Sequence, residues 1–391
     1  MPYLLLFLLS FGHGAVDLCG SALPMLLPVL KSQYHLSYTA VSQVVLIFNL
    51  SSSLIQPAFG MLSDRISCRW LMPLGCILAA GMALIGVVSS YGLVLLCILL
   101  CGIGNAAYHP EGAKQSYLIS GEHQAAAQSI YTIGGNLGAG LGPIIATLLI
   151  GLSGMKGMIW LLVPTLFSIV LILYRLPVLS HLGRERELTC RQTAISQSVS
   201  ASTWGVIALL MLIATIRSII YTCITTFFPL YTINYLRESH FWAGLCLSGF
   251  LLTGVLGSAI AGPLADRWGR KKVLIFSFLI AIPPLLILPY SRGVLSLIVS
   301  SWIGFALIAS FGITVVIAQE LIPGQVGMVS GLILGFASGI AALGVLMFGA
   351  IADTWGVATV FKLMSILPVV LLVLTFTLPK IESNDSKSMS R

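Results

Sequence analysis

Charge-free apolar runs long enough to cross a bilayer fill most of this chain, and few folds can accept them. The stretches Val87 to Cys101 and Leu363 to Leu378 hold no charged residue. A spanning helix needs roughly 20 mostly apolar residues. In lipid no water satisfies backbone N–H and C=O groups, so only helices or closed barrels span it. Barrel strands alternate apolar and polar residues, and these runs are continuous, which selects helices. Charged residues make up only 8% of the 391, while hydrophobic types make up 58%. A soluble domain carries about 25% charged residues, so this supply cannot cover a water-facing surface. The expected class is all-α integral membrane.

Dividing the runs at charge clusters and Gly/Pro breaks predicts twelve spans. They lie at about 3–30, 39–62, 70–89, 92–118, 124–150, 157–178, 204–234, 241–264, 272–290, 294–321, 326–350 and 357–379. The first run reaches Leu30, too long for a cleaved leader, and reads as a span. Residues 179–203, with Arg184, Arg186 and Arg191 among Ser and Gln, read as a cytoplasmic linker between an N-terminal half (1–178) and a C-terminal half (204–379). Residues 380–391 read as a cytoplasmic tail. Fourteen of the twenty Lys and Arg fall on one side of these spans, five on the other, and Arg217 lies within one. The positive-inside rule then puts both termini in the cytoplasm. The net charge of +8 is loop charge of this kind rather than a nucleic-acid surface. The eight cysteines have no paired spacing and read as small packing residues.

The two halves repeat. Gly60-Met61-Leu62-Ser63-Asp64-Arg65 recurs as Gly262-Pro263-Leu264-Ala265-Asp266-Arg267, a shift of 202. Gly102 pairs with Gly304 and Gly142 with Gly344 at that shift; Ser129, Gly134 and Gly138 pair with Ser330, Gly335 and Gly339 at 201. Two parallel six-span halves with a substrate site between them near the midplane are a known transporter plan. One such chain is sufficient as a monomer.

A charge at mid-bilayer costs roughly 2.5–3.5 kcal/mol on insertion scales, so it marks function by default. His13 and Asp17 stand at i and i+4 on one face of span 1. They read as a proton-binding pair, or as a buried polar bridge between helices. Arg217 lies mid-way along span 7, and the repeat shift takes it to position 15, opposite that pair. A guanidinium stays charged, so it can pair with Asp17 or hold an anionic substrate group bidentately. Tyr221, one turn from Arg217, is the best further substrate contact, with Tyr108, His109 and Asn136 as other candidate substrate contacts in spans. Glu111, beside Tyr108 and His109 in span 4, is a second proton carrier or gate charge, or else a carboxylate at the inner water boundary. Pro110 loosens the backbone there. His109-Pro110-Glu111 is not expected to bind metal, because no further His or Cys ligands accompany it in sequence. Asp64, Arg65, Asp266, Arg267, Arg270 and Lys271 fall in cytoplasmic loops, where paired charges can latch the halves. Glu320 and Asp353 read as span-boundary residues. Gly134, Gly138 and Gly142 place small residues on one face of span 5, for close packing. No phosphate-cradling loop is present, so neither an ATP-driven pump nor an enzyme is expected, and no cofactor.

The loop Gly262-Pro263-Leu264-Ala265-Asp266-Arg267-Trp268-Gly269-Arg270-Lys271-Lys272 resembles the signature of the major facilitator superfamily. Its N-terminal copy is degraded at Ser67 and Cys68. His13-Gly14-Ala15-Val16-Asp17, Tyr108-His109-Pro110-Glu111, Gly134-Gly135-Asn136-Leu137-Gly138 and the run from Ala318 to Gly331 resemble the fosmidomycin resistance protein family within it. The resemblance implies the major facilitator fold and proton-coupled antiport. It also implies export of a small, often anionic compound across a bacterial inner membrane. It further implies the gating role of the loop charges. The alternative is transport of a native metabolite such as a sugar, an amino-acid conjugate or a metal-chelating product.

Overall fold

The computed structural model describes residues 3–65, 68–119, 124–190, 201–322, 329 and 331–379, with backbone only at 64–65, 124–126, 180–190, 201, 331 and 334. The tail 380–391 and residues 191–200 of the expected linker lie outside the described residues. The described chain is helical. In the first half, α1 (Tyr3–Gln33) is followed by α2 (Tyr38–Asn49), which passes through a π turn (Leu50–Leu54) into α3 (Gln56–Arg65). Then come α4 (Leu71–Ala79), α5 (Gly81–Leu84), α6 (Tyr91–Ile119), α7 (Gln124–Ser153) and α8 (Leu162–Cys190). The second half holds α9 (Ala201–Leu230), α10 (His240–Trp268), α11 (Arg270–Ile287), α12 (Val294–Leu321), α13 (Ala337–Trp355), α14 (Val357–Met364) and α15 (Leu367–Thr377).

Ten apolar segments of the described residues are long enough to cross a membrane. One of them, Ala127–Leu179, is 53 residues long and contains both α7 and α8. The shorter Leu71–Leu84 is the expected third span. Together these make the twelve expected spans of the all-α membrane fold. Large apolar side chains such as Phe7, Leu152, Val170, Met347 and Phe376 point outward, as lipid solvation requires. The chain divides into two compact units: residues 1–195 with 239–244, and residues 196–238 with 245–391.

Inside the first unit, α1 and α7 touch backbone to backbone. A Cβ on Gly134 would strike the Ser10 carbonyl, one on Gly138 the Gly14 carbonyl, and one on Gly142 the Ser21 hydroxyl. The small-residue face of α7 is therefore spent on packing α1. The repeat also holds in three dimensions. Gly102 closes on the Phe48 carbonyl and Gly304 on the Phe250 carbonyl, and both members of the two contacts are 202 residues apart. Gly269 takes φ +91°, with its N–H bonded to the Ala265 carbonyl at 2.9 Å. This left-handed residue, permitted by the missing Cβ, lets α10 end and α11 begin at once. The seven described cysteines are free and buried.

Candidate functional site

The half-buried carboxylate of Asp17 lies between two imidazoles. His13, one turn earlier on α1, brings Nε2 to 3.2 Å from Oδ2; His109 of α6 brings Nε2 to 2.9 Å from Oδ1. His13 Nδ1 lies 2.9 Å from the Tyr131 carbonyl of α7, and its ring stacks on that of Tyr131 with centroids 4.2 Å apart. The His109 ring meets His13 edge-on at 4.9 Å. Three helices thus converge on one carboxylate. Gly135 makes room for them, because a Cβ there would strike His13 and lie 2.7 Å from Asp17 Oδ2.

A carbonyl only accepts, so His13 Nδ1 carries the hydrogen that points to Tyr131. Both Asp17 oxygens then lie within hydrogen-bonding or ion-pairing distance of an imidazole Nε2. The side chains of His13, Asp17 and His109 are 13%, 18% and 26% exposed.

The expectation that His109 has no ligand-bearing neighbours is corrected. His13 and Asp17 join it with donor atoms all within 4.8 Å of one another. Two imidazoles and a carboxylate form a donor set that metals accept. Here each imidazole Nε2 also lies within 3.2 Å of a carboxylate oxygen.

Neighbouring residues link the surrounding helices. Tyr108 is buried and donates its hydroxyl to the Leu9 carbonyl at 2.8 Å, tying α6 to α1. Tyr131 donates to the His109 carbonyl at 3.2 Å. Asn136 is half-buried on α7. Glu111 is fully buried among protein side chains. It accepts from Ser63 at 2.5 Å and from Gln115 Nε2 at 2.6 Å, while Lys114 donates to the Ser63 carbonyl. Glu111 thereby pins the end of α3 to α6.

In the second unit Arg217 of α9 is completely buried. Its Nη1 donates to Thr314 Oγ1 at 2.8 Å and to the Ser310 carbonyl at 3.3 Å, both on α12. Its guanidinium carbon lies 3.6 Å from the centroid of the Phe311 ring. Among the described residues, Nε and Nη2 have no hydrogen-bond partner. Tyr221 packs between Phe250 and Phe311, each at 5.7 Å.

Among the loop charges, Asp266 reaches Arg270 at 3.9 Å across one turn, but the close partner of Arg270 is Glu320 at the end of α12. Lys271 donates to the Phe376 and Leu378 carbonyls at the end of α15, a favourable place for a cation. Arg267 is exposed. Asp64 and Arg65 close α3, and their side chains lie outside the described residues. Sequence reasoning missed Glu320 as a partner, Gly135 as the floor of the carboxylate cluster, and Thr314 and Phe311 as the seat of Arg217. A signal existed for Phe311, which the 202-residue shift carries onto His109.

A protein-family model described as the Major Facilitator Superfamily matches residues 6–247 and 210–390. The chain belongs to the Major Facilitator Superfamily. Among proteins of this superfamily, the fosmidomycin resistance protein of Escherichia coli (strain K12) is 34% identical over 376 residues, covering 95% of this chain and 91% of that protein. The uncharacterized MFS-type transporter YfnC of Bacillus subtilis (strain 168) is 32% identical, covering 96% and 93%. Among solved structures, a bacterial homolog of the human lysosomal transporter Spinster, inward-facing and unoccupied, superposes with a TM-score of 0.77 at 15% identity, covering 96% and 97%. The nucleoside transporter NupG does so with 0.72 at 16%, covering 96% and 100%. These two similarities concern the fold. The superfamily and these relatives make the chain a multi-pass membrane transporter of small molecules rather than an enzyme.

Proposed function

We propose that this transporter exports a small anionic or polar compound of the fosmidomycin type in exchange for protons, by alternating access. The observation that carries the reading is the Asp17 carboxylate set between the imidazoles of His13 and His109. Asp17 is the exchanging group, and the two imidazoles relay its proton. A carboxylate alone in an apolar site would hold its proton too firmly; nearby cations oppose that. The cluster can therefore both load and release. The likeness to the fosmidomycin resistance protein supports an anionic drug as cargo. Arg217, mid-way along predicted span 7, supports an anion-binding site, with Tyr221 beside its aromatic seat. Tyr108 and Asn136 serve the same region as packing and lining residues. Glu111 is a further protonatable group that joins α3 to α6. Asp64, Arg65, Asp266, Arg267, Arg270 and Lys271 act at the cytoplasmic ends as gate charges, with Glu320 as the partner of Arg270. The protein works as a monomer in a bacterial inner membrane with both termini cytoplasmic.

The test is fosmidomycin susceptibility of a sensitive bacterium expressing the chain, beside an Asp17→Asn variant at matched membrane abundance. The expected result is protection by the unaltered chain and none by the variant. No protection from a well-expressed, correctly inserted protein removes fosmidomycin as cargo.

A further inference from the structure

Arg217 combines full burial with two idle donors. A buried charged donor without a partner is costly, and among the described residues no carboxylate pairs with it. The neighbouring helix decides which donors stay idle. The hydroxyl proton of Thr314 is directed at backbone carbonyls of its own helix, Phe311 at 2.9 Å and Ser310 at 3.2 Å. Its oxygen lone pair is thereby left to accept from Arg217 Nη1. The Ser310 carbonyl takes a second bond from the same nitrogen. Phe311 covers one face of the guanidinium, an attractive cation–π contact. What remains is the Nε–Nη2 edge. Its two N–H bonds run parallel and match two oxygens of one oxyanion.

Each unit, taken by itself, seats an ionic side chain of its first helix against its fourth. In the first unit Asp17 meets His109 of α6; in the second, Arg217 meets Phe311 of α12, 202 residues further on. The acid has an imidazole on each oxygen. The base has one nitrogen satisfied and two open. That contrast marks Arg217 as the group whose partner an incoming ligand would supply.

We propose that Ser310, Phe311 and Thr314 present Arg217 edge-on as a receptor for a two-oxygen anionic head group, a carboxylate or phosphonate. Thr314 is the positioning residue and Phe311 the face-blocking one. This rests on the reading of Arg217 as a substrate contact and adds the edge it uses and the residues that set it. A spherical anion such as chloride cannot fill both donors equally well.

The test is an equilibrium one, thermal stabilisation of the purified full chain without a pH gradient. The probes are acetate, methylphosphonate and fosmidomycin, with chloride at equal ionic strength as reference. The two-oxygen anions are expected to stabilise the chain beyond chloride. Thr314→Val should weaken the apparent affinity about tenfold, as loss of a hydrogen bond to a charged group does. Thr314→Ser should restore it, and Arg217→Lys should not bind edge-on. If Thr314→Val is not recovered folded, Thr314→Ala carries the same expectation. In transport, the Thr314 variant should raise KM with kcat and the pH profile unchanged. No stabilisation of the unaltered chain beyond chloride overturns the proposal, and so does a Thr314 variant that binds like it. Loss of proton coupling in Asp17→Asn is read separately in a gradient assay, so failure of either reading leaves the other standing.

Discussion

At Asp17 both carboxylate oxygens meet an imidazole nitrogen, and in the proposed mechanism the exchanging proton is shared among three side chains. Asp17→Asn keeps the size and one acceptor oxygen but cannot take up a proton. Its expected behaviour is loss of uphill export, with residual downhill flux that no longer varies with pH. Everted vesicles carrying a pH-sensitive dye check this, since drug addition should collapse the gradient only with the unaltered chain. In whole cells export should decline as the outside medium is made alkaline, because fewer protons load the cluster. Gly135 supports the same site by having no side chain. Gly135→Ala would push against His13 and Asp17 and should cut transport by more than about tenfold, since misplacing a reacting group by roughly 1 Å can cost 10²-fold. Gly151, with open space around its Cα, is the control that should tolerate alanine.

The scale of single helices explains why α1 is placed so closely. Gly134, Gly138 and Gly142 bring α7 against α1, and that approach carries the Tyr131 carbonyl to His13. Gly138→Leu would overpack this seam at a cost of about 1–3 kcal/mol. It should lower thermal stability and disturb proton coupling together, as read by a melting curve and the vesicle assay. On α12 one turn of helix fixes Arg217, while its end pairs Glu320 with Arg270. Arg270 is therefore committed first to its own unit. Under the gating proposal, Glu320→Gln frees Arg270 and should alter transport rate more than substrate affinity, measured as kcat against KM.

For the whole molecule, the charge asymmetry predicts topology. Under the proposed topology Lys156, exposed just after α7, faces the outside. A Lys156→Cys variant should react with a membrane-impermeant maleimide added to intact cells. A fluorescent protein fused after Arg391 should mature in the cytoplasm. The seven described native cysteines are buried, so background labelling should be low.

Much of this protein was legible before any coordinate. Span number, the 202-residue repeat and the ionic residues inside spans follow from local composition and period, because lipid penalises every exposed polar group wherever it sits in the fold. His13 with Asp17 was legible for the same reason, since i and i+4 share a helix face. The partners were not. His109 is 92 residues from Asp17, and Thr314 is 97 from Arg217. Glu111 was legible as a candidate proton carrier or gate charge, but not that Ser63 and Gln115 hold it in a buried place. Those pairings depend on the rotation and depth at which one helix packs on another. Side-chain volume and glycine placement across two helices decide that together, so only the tertiary structure settled them.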